Sequence, residues 1–164
     1  MRAVVQRVAR SAVSVVEDGE EREVGRIDRG LTVLIGVAAG DGDAEVERLA
    51  QKIATLRIFP DGDGKLNLDV SEAGGAILAV SQFTLLADTR KGRRPSFVGA
   101  ASPELGERLY ESVVSRLRGA GLSVQTGRFR THMHVAILND GPVTIILDTD
   151  DWGGSSRPDQ TRDA

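Results

Sequence analysis

The sequence contains no cysteine among its 164 residues. Disulfides, zinc–thiolate sites and thiol nucleophiles are therefore excluded together. Aromatic residues make up only 4% of the chain, which is too few for a surface on which many bases stack. The first sixteen residues carry Arg2, Arg7 and Arg10 with no uninterrupted apolar region behind them, and no run approaches the length of a membrane span. These absences favour a cytoplasmic protein without membrane contact.

The length and composition are those of a single globular domain. Apolar residues make up 40% of the chain and charged residues 27%. No internal repeat or linker divides the sequence, so we expect one domain over residues 1–149. The segment 150–164 has little apolar content, and we expect it to be a disordered C-terminal tail.

Positive charge is concentrated in one loop, although the formal net charge of the chain is −3. Residues 86–101 show no clear periodicity and contain Arg90, Lys91, Arg93 and Arg94 around a glycine. The pattern is that of either a solvated loop or a phosphate-binding segment. Because the chain is acidic overall, nucleic-acid binding would have to depend on this local patch.

Predicted strands outnumber predicted helices. The strands are expected at 3–8, 11–16, 31–38, 76–83, 122–127, 133–139 and 142–148. One helix is expected after Asp41 or Asp43, and a second after Ser102, with Pro103 in its first turn. This pattern predicts an α/β chain of α+β character, in which packed sheets carry the helices on one side.

The stretch NDGPVT, residues 139–144, interrupts two apolar runs that otherwise favour strand. Pro142 cannot donate to a β-ladder and is normally excluded from a central strand. Gly141 before it permits backbone conformations that are closed to other residues. The stretch is therefore either a hairpin turn or a rigid backbone device.

The stretch SQFTL, residues 81–85, places polar groups at the end of a buried strand, where sites often lie. Ser81 and Thr144 are possible nucleophiles, but each would need a nearby base. The only histidines are His132 and His134, and no G-x-S-x-G elbow accompanies them. These two histidines alone do not make a metal site, so no metal and no cofactor are expected. A polar strand end and two surface histidines remain an alternative.

The segments VSQFTL (80–85) and NDGPVT (139–144) together resemble the two signature motifs of the D-aminoacyl-tRNA deacylase family. Four flanking segments are similar to that family as well: QRV at 6–8, RIF at 57–59, RPSF at 94–97 and QTGRF at 125–129. Either motif alone would be a weak signal, but both in this order are highly specific. The resemblance covers about residues 1–148.

The resemblance implies a three-layer ββα fold, in which two packed β-sheets form a barrel-like core with two main helices on one side. It implies a homodimer in which Gly141-Pro142, with a cis peptide bond, reaches into the partner's site and holds the substrate amino group with two carbonyl oxygens. The substrate would be aminoacyl-tRNA, whose acceptor stem the basic loop would contact. The enzyme would cleave the ester of D-aminoacyl-tRNA as a proofreading step.

The resemblance also implies roles for individual residues. Ser81, Gln82 and Phe83 would line the catalytic pocket, and the backbone N–H groups of Gln82 and Phe83 would stabilise the oxyanion. Arg7 would hold the Gly-Pro element, whereas Asn139 and Met133 would contact substrate, Met133 at the terminal adenosine. Thr144 is either the nucleophile or a pocket residue. In the second case the 2′-hydroxyl of the terminal ribose would help to activate the water.

Discrimination between D and L substrates requires more free energy than a flexible apolar pocket supplies. Sparing L-aminoacyl-tRNA by a factor of about 10⁴ requires roughly 5.5 kcal/mol. An apolar pocket supplies only about 1 to 3 kcal/mol per methylene. A rigid backbone filter that excludes an L side chain is therefore expected. It should accept many D side chains and should not reject glycine, so mischarged glycyl-tRNA is a second expected substrate.

Two other functions remain open from the residues alone. The chain could be a non-catalytic RNA-binding dimer of the same fold, which predicts salt-dependent binding and no ester cleavage. It could also be a general hydrolase of small esters that uses Ser81 or Thr144, which predicts activity on esters that lack RNA. A purely structural dimer, with Gly-Pro as a turn, is a third possibility.

Overall fold

The computed structural model describes residues 1–152. The fold is organised around one long strand, β1 (Arg2–Glu17), in which buried and partly exposed residues largely alternate. The alternation follows from the two-residue period of a strand, which sends the side chains of Ala3, Val5, Val13 and Val15 to the interior. Both edges of β1 are paired with other strands.

Six strands form one curved, mixed sheet. Antiparallel to β1 lie β2 (Glu20–Ile27) and β3 (Gly30–Gly36), and β8 (Met133–Asp148) pairs along its opposite edge. Strands β6 (Ala76–Ser81) and β7 (Val124–Thr126) extend the sheet in parallel from β3. Because β2 also contacts β6 and β7, the sheet nearly closes into a barrel.

The parallel connections contain the helices, as parallel strands require long crossovers. Between β3 and β6 lie α1 (Asp43–Ala54) and a two-stranded sheet of β4 (Phe59–Pro60) and β5 (Leu66–Leu68). Between β6 and β7 lie a 3-10 helix (Phe83–Leu86) and α2 (Pro103–Gly119). The predicted start of α2 is confirmed, since the Ser102 hydroxyl accepts from the Leu105 N–H at 3.3 Å.

Two apolar clusters lie in the fold. The larger one joins the sheet to both helices through residues such as Leu31, Leu49 and Leu109. The smaller cluster comprises Val8, Val13, Ile27, Leu78 and Val80, with Met133, Val135 and Ile137 packed against it. The predicted class, a barrel-like β core with two helices, is confirmed. Most of its β structure lies in one sheet, and the second sheet has only two strands.

Three predicted boundaries differ from the structure. The separate strands expected at 3–8 and 11–16 are one strand, and those at 133–139 and 142–148 are also one. Local sequence signals mark interruptions there, but the long β1–β8 ladder holds the chain extended across them. The tail was expected to begin at 150, yet Thr149–Trp152 forms a 3-10 helix, and Lys52 Nζ lies 5.5 Å above the Trp152 ring. The rest of the expected tail is outside the described residues.

Among residues 1–152, no helix is long and apolar enough to cross a membrane.

Gly30 marks the tightest approach of two strands, because a Cβ at this position would lie 1.8 Å from the Ala76 carbonyl oxygen. We expect Gly30→Ala to lower the free energy of unfolding by about 3 kcal/mol or more, since backbone must move to admit the methyl group. Gly62→Ala is the control, because nothing lies within 4 Å of a Cβ there. Urea denaturation that gave both variants the same midpoint would contradict this packing.

Candidate active site

The principal pocket opens at the end of β6 and has a volume of about 590 Å³. This volume is within the range of roughly 300 to 1,000 Å³ that is usual for small-molecule sites. Its walls come from the end of β6, from the segment that leads into α2 and from the segment between β7 and β8. The predicted residues Ser81, Gln82, Phe83 and Met133 all line it.

Aromatic rings shape the mouth of the pocket. Phe83 is 56% exposed and meets Phe97 edge-to-face, with 5.1 Å between ring centroids. On the other wall Phe129 packs toward Tyr110 at 6.4 Å, with the rings tilted. Burial raises the pKa of the Tyr110 phenol, whose hydroxyl donates to the Ala79 carbonyl at 2.9 Å. Tyr110 is therefore a structural hydrogen-bond donor and not an acid in the pocket.

The backbone at the first motif differs from one detail of the sequence prediction. The Gln82 N–H donates to the Ile35 carbonyl at 2.7 Å, as the next hydrogen bond of the β3–β6 ladder. It is therefore not available to an oxyanion in this conformation. The Phe83 N–H starts the 3-10 helix and has no backbone acceptor within residues 1–152. Of the two predicted donors, only Phe83 can serve.

The second motif forms an excursion from the β1–β8 ladder. Gln6 pairs with Thr144 and Val8 with Asn139, so β1 advances two residues (6 to 8) where β8 uses five (139 to 144). The three surplus residues push residues 140–143 out of the ladder. Gly141 and Pro142 are exposed there, and the peptide bond between them is cis. The motif is thus a backbone device within a strand and not a hairpin turn.

Arg7 lies opposite the excursion and is only 8% exposed. Its Nη1 donates to the Ile58 carbonyl at 2.7 Å, and its Nε lies 3.1 Å from Asp140 Oδ2. That second contact is an ion pair whose angle falls outside hydrogen-bond geometry. A Cβ on Gly141 would come within 2.9 Å of Arg7 Nη2, so the guanidinium packs directly against the excursion. Arg7 therefore lies beside the Gly-Pro element, where the family resemblance places it, and its role in holding that element stays a prediction.

Asn139 spans the base of the excursion. Its Nδ2 donates to the carbonyl oxygens of Arg7 at 2.9 Å and Val143 at 3.0 Å. Both amide hydrogens are thereby committed to backbone. Within one chain the Asn139 side chain thus joins the two ends of the excursion, and its contact with substrate stays a prediction.

Among residues 1–152, no base is hydrogen-bonded to Thr144. Its hydroxyl is exposed and accepts from Gln6 Nε2 at 3.2 Å. His134 lies ten residues earlier on the same strand, a span of roughly 30 Å. Its Nδ1 is 3.1 Å from Glu21 Oε2, and this hydrogen bond is the main cause that lowers the pKa of Glu21. His132 lines the pocket, but no hydrogen bond within residues 1–152 joins it to Ser81.

The basic loop lies beside the pocket without lining it. Asp88 and Ser96 close this loop with a two-way backbone bridge, and Arg90 pairs with Asp88 at 2.7 Å. The hydrogen bond that the Arg90 side chain donates to Asp88 is the largest of the effects that hold the pKa of Asp88 well below its usual range. Lys91, Arg93 and Arg94 are exposed. The loop therefore presents cations to solvent, and the chain after it, from Phe97, returns to the pocket wall.

One chain does not bring the two motifs together. The pocket contains the first motif and Met133, but none of residues 139–144 and not Arg7. The sequence reasoning also missed lining residues, among them Phe97, Phe129, Arg130 and Ala101. Phe97 and Phe129 end two of the segments that resemble the family, which is the signal that could have found them. Arg130 has no such signal.

Comparisons with known proteins agree with this geometry. The family described as D-Tyr-tRNA(Tyr) deacylase matches residues 4–148. A D-aminoacyl-tRNA deacylase of Anaeromyxobacter dehalogenans is 57% identical over 149 residues, covering 91% of this chain and 97% of that protein. One of Natranaerobius thermophilus is 55% identical over 150 residues, with coverage of 91% and 97%.

Solved structures share the fold. A structure titled c-Myc DNA Unwinding Element Binding Protein has a TM-score of 0.82 at 41% identity, covering 91% of this chain and 99% of that chain. A probable eukaryotic D-amino acid tRNA deacylase has a TM-score of 0.75 over 89% and 97% of the two chains, and at 19% identity it shows the fold alone. The protein is thus a small β-barrel-like hydrolase. It belongs to the D-Tyr-tRNA(Tyr) deacylase family.

Asn139→Ala removes both hydrogen bonds that close the base of the excursion. We expect it to lower the free energy of unfolding by about 2 kcal/mol, because two carbonyl oxygens lose their donor. Asn67→Ala is the matched control, since its one hydrogen bond, to Asp61, is exposed and should contribute less than about 0.5 kcal/mol. Equal urea midpoints for the two variants would show that Asn139 does not brace the excursion.

Proposed function

We propose that the chain hydrolyses the ester of D-aminoacyl-tRNA and releases a free D-amino acid and tRNA. The observation that carries this proposal is the pocket built on Ser81, Gln82 and Phe83 in a member of this deacylase family. The reaction removes D-amino acids before they reach translation. A protein that acts on aminoacyl-tRNA is expected in the cytoplasm, where translation takes place.

The chemistry does not depend on a side-chain nucleophile. The exposed Thr144 hydroxyl has no histidine near it, and Ser81 has no hydrogen-bonded base in the described chain. A water molecule is therefore the attacking group, and the 2′-hydroxyl of the terminal ribose helps to position or activate it. The Phe83 N–H at the start of the 3-10 helix has no backbone acceptor among residues 1–152, and it would stabilise the developing oxyanion. Thr144 then has a structural or pocket role.

The site is completed by a second copy of the chain. The excursion of residues 140–143 is exposed and lies outside the pocket of its own chain. Within residues 1–152, the outer edge of β8 has no strand partner, and Leu138 (48%) and Ile146 (70%) are exposed on that strand. An apolar strand with an open edge favours association. In the homodimer, Gly141-Pro142 of one subunit enters the pocket of the other and holds the substrate amino group with its carbonyl oxygens.

Chirality is then selected by exclusion. A braced backbone element leaves room for a hydrogen or a D side chain but not for an L side chain. Arg7 and Asn139 supply the bracing, because both contact the backbone of the excursion or pack against it. Such a filter accepts D-amino acids of many sizes and also accepts glycine, so mischarged glycyl-tRNA is a second substrate.

The basic loop binds the tRNA acceptor stem. Arg90, Lys91, Arg93 and Arg94 are exposed next to the pocket wall, where they would meet phosphates. Phosphate contacts position the substrate without reading its sequence. The enzyme therefore acts on tRNAs of different sequence, because the aminoacylated end is common to them.

Two alternatives are less well supported. A hydrolase of small esters would need a base near Ser81 or Thr144, and the hydrogen bonds of residues 1–152 provide none. A non-catalytic RNA-binding dimer would not need a pocket of about 590 Å³ lined by the first motif. The small-ester hydrolase predicts cleavage of esters that lack RNA. The RNA-binding dimer predicts binding of tRNA without cleavage.

Single-turnover deacylation of D-Tyr-tRNA and L-Tyr-tRNA tests the proposal, with Thr144→Ala measured beside the wild type. We expect the D ester to disappear at least about 10³-fold faster than the L ester, which corresponds to roughly 4 kcal/mol of discrimination. Thr144→Ala should retain activity within about tenfold. Equal rates for both esters would contradict the backbone filter, and an inactive but folded Thr144→Ala would restore the side-chain nucleophile.

Subunit mixing tests whether the site is shared. Ser81→Phe fills the pocket of its own chain, and Gly141→Ala places a Cβ against Arg7 and Val143 in the excursion. We expect each variant alone to be inactive. When the two are co-refolded in equal amounts, random pairing into a two-fold dimer leaves about a quarter of all sites intact. No recovered deacylation in mixtures shown to contain the mixed dimer would refute the shared site.

A further inference from the structure

Among the described residues, Arg130 is the only permanently charged one that lines the pocket. It lies on the turn between β7 and β8, beside Phe129 and Thr131, and its side chain is exposed. Within residues 1–152, no carboxylate lines the same pocket. The remaining lining residues carry no fixed charge, so this guanidinium is the fixed charge on the walls that the described residues form.

The backbone of Arg130 is in the left-handed region, with φ = 57°. A residue with a large side chain rarely adopts this conformation, which glycine adopts freely. The neighbouring contacts enforce it. The Thr131 hydroxyl donates to the Arg128 carbonyl at 3.0 Å across the turn, and the Val16 N–H donates to the His132 carbonyl at 2.9 Å. Residues in rarely populated backbone conformations cluster at functional sites. Arg130 combines such a conformation with a position on the exposed rim of the pocket, here called the lip.

The guanidinium is not committed elsewhere in the described chain. Arg130 forms no side-chain hydrogen bond and no ion pair within 4.0 Å among residues 1–152, whereas Arg128 pairs with Glu17 at 2.7 Å. The carboxylate of Glu104 is close enough to feel the charge of Arg130 without pairing with it. The pKa of Glu104 is lowered first by its own N–H and the Ser102 hydroxyl, and only then by the Arg130 charge. Arg130 is therefore available to an anion at the lip.

We infer that Arg130 binds a phosphate of the tRNA 3′ end, next to the terminal nucleoside whose ester occupies the pocket. This inference rests on the proposed function. When the ester lies at Phe83, the chain of nucleotides must leave across the lip, and its first charged group is the phosphodiester of the terminal nucleotide. Guanidinium binds phosphate through paired N–H donors. Arg130 is thus a substrate-positioning residue separate from the basic loop at 90–94.

Two substrates distinguish a phosphate contact from a general effect on the site. D-tyrosyl-adenosine carries the same ester as D-Tyr-tRNA but has no phosphate. Arg130→Asn removes the charge and keeps a residue that tolerates the left-handed region. We expect kcat/KM on D-Tyr-tRNA to fall about fivefold to tenfold, mainly through KM, and the loss on D-tyrosyl-adenosine to be at least threefold smaller.

Two further variants complete the experiment. Arg130→Lys should recover only part of the activity on tRNA, because it keeps the charge but lacks the paired N–H donors of a guanidinium. Arg128→Asn, two residues away and outside this pocket, should change kcat/KM on tRNA by less than about twofold. For tRNA, log kcat/KM is plotted against the logarithm of the salt concentration. The slope of this plot should be shallower by about 0.7 in Arg130→Asn than in the wild type, as expected for the loss of one phosphate contact on a single strand.

The outcomes separate the inference from the function on which it rests. Equal losses on both substrates, or no loss on tRNA, would overturn the phosphate contact while leaving deacylation intact. Wild-type protein that cleaved neither ester would overturn the proposed function. The inference can then be tested without hydrolysis, by measuring the Kd for tRNA that carries no amino acid. A Kd about fivefold higher in Arg130→Asn than in the wild type supports the phosphate contact, and an unchanged Kd refutes it.

Discussion

The packing of one buried guanidinium against a break in a β-ladder is the constraint on which the rest of the site depends. Arg7 sits on β1 opposite residues 140–143 of β8, which leave the ladder, and it is bound to the Ile58 carbonyl and paired with Asp140. Asn139 closes the base of the same excursion. Burying a charge is costly unless it has partners, so these contacts and the excursion stabilise each other. The exposed Gly141-Pro142 therefore has a defined backbone although it lies at the surface.

The site offers backbone groups rather than side-chain bases. The strand end at Ser81 and the 3-10 helix at Phe83 present a backbone donor, while the braced excursion presents carbonyl oxygens on another face of the molecule. No side-chain base accompanies either within residues 1–152. Under the proposed function, selection by a rigid backbone and assistance by the ribose hydroxyl would explain how so few catalytic side chains are sufficient. They also make the second subunit a part of the chemistry under the proposed function.

The sequence predicted those features that local patterns control. Helix α2 begins at Pro103 after its Ser102 cap. The buried strand β6 lies within the predicted run 76–83, and β3 overlaps the predicted run 31–38 but begins one residue before it. It was less successful where long-range pairing competes with local signals. The proline at 142 suggested a break in the strand, but pairing with β1 on both sides of it keeps β8 one strand. The Gln82 N–H was expected to be free, but the parallel partner β3 accepts its hydrogen bond.

By itself, the sequence determined the fold class, the two motifs and the family that they indicate, because periodicity, capping and motif identity are properties of neighbouring residues. Only the tertiary structure decided which groups meet. It placed Arg7 against Gly141, turned Asn139 toward backbone, and put Arg130 on the lip of the pocket in a conformation that its residue type does not favour. It also left the second motif outside the pocket of its own chain. The physical reason is that hydrogen-bond commitment, burial and strain depend on contacts between distant segments, and no local pattern encodes them.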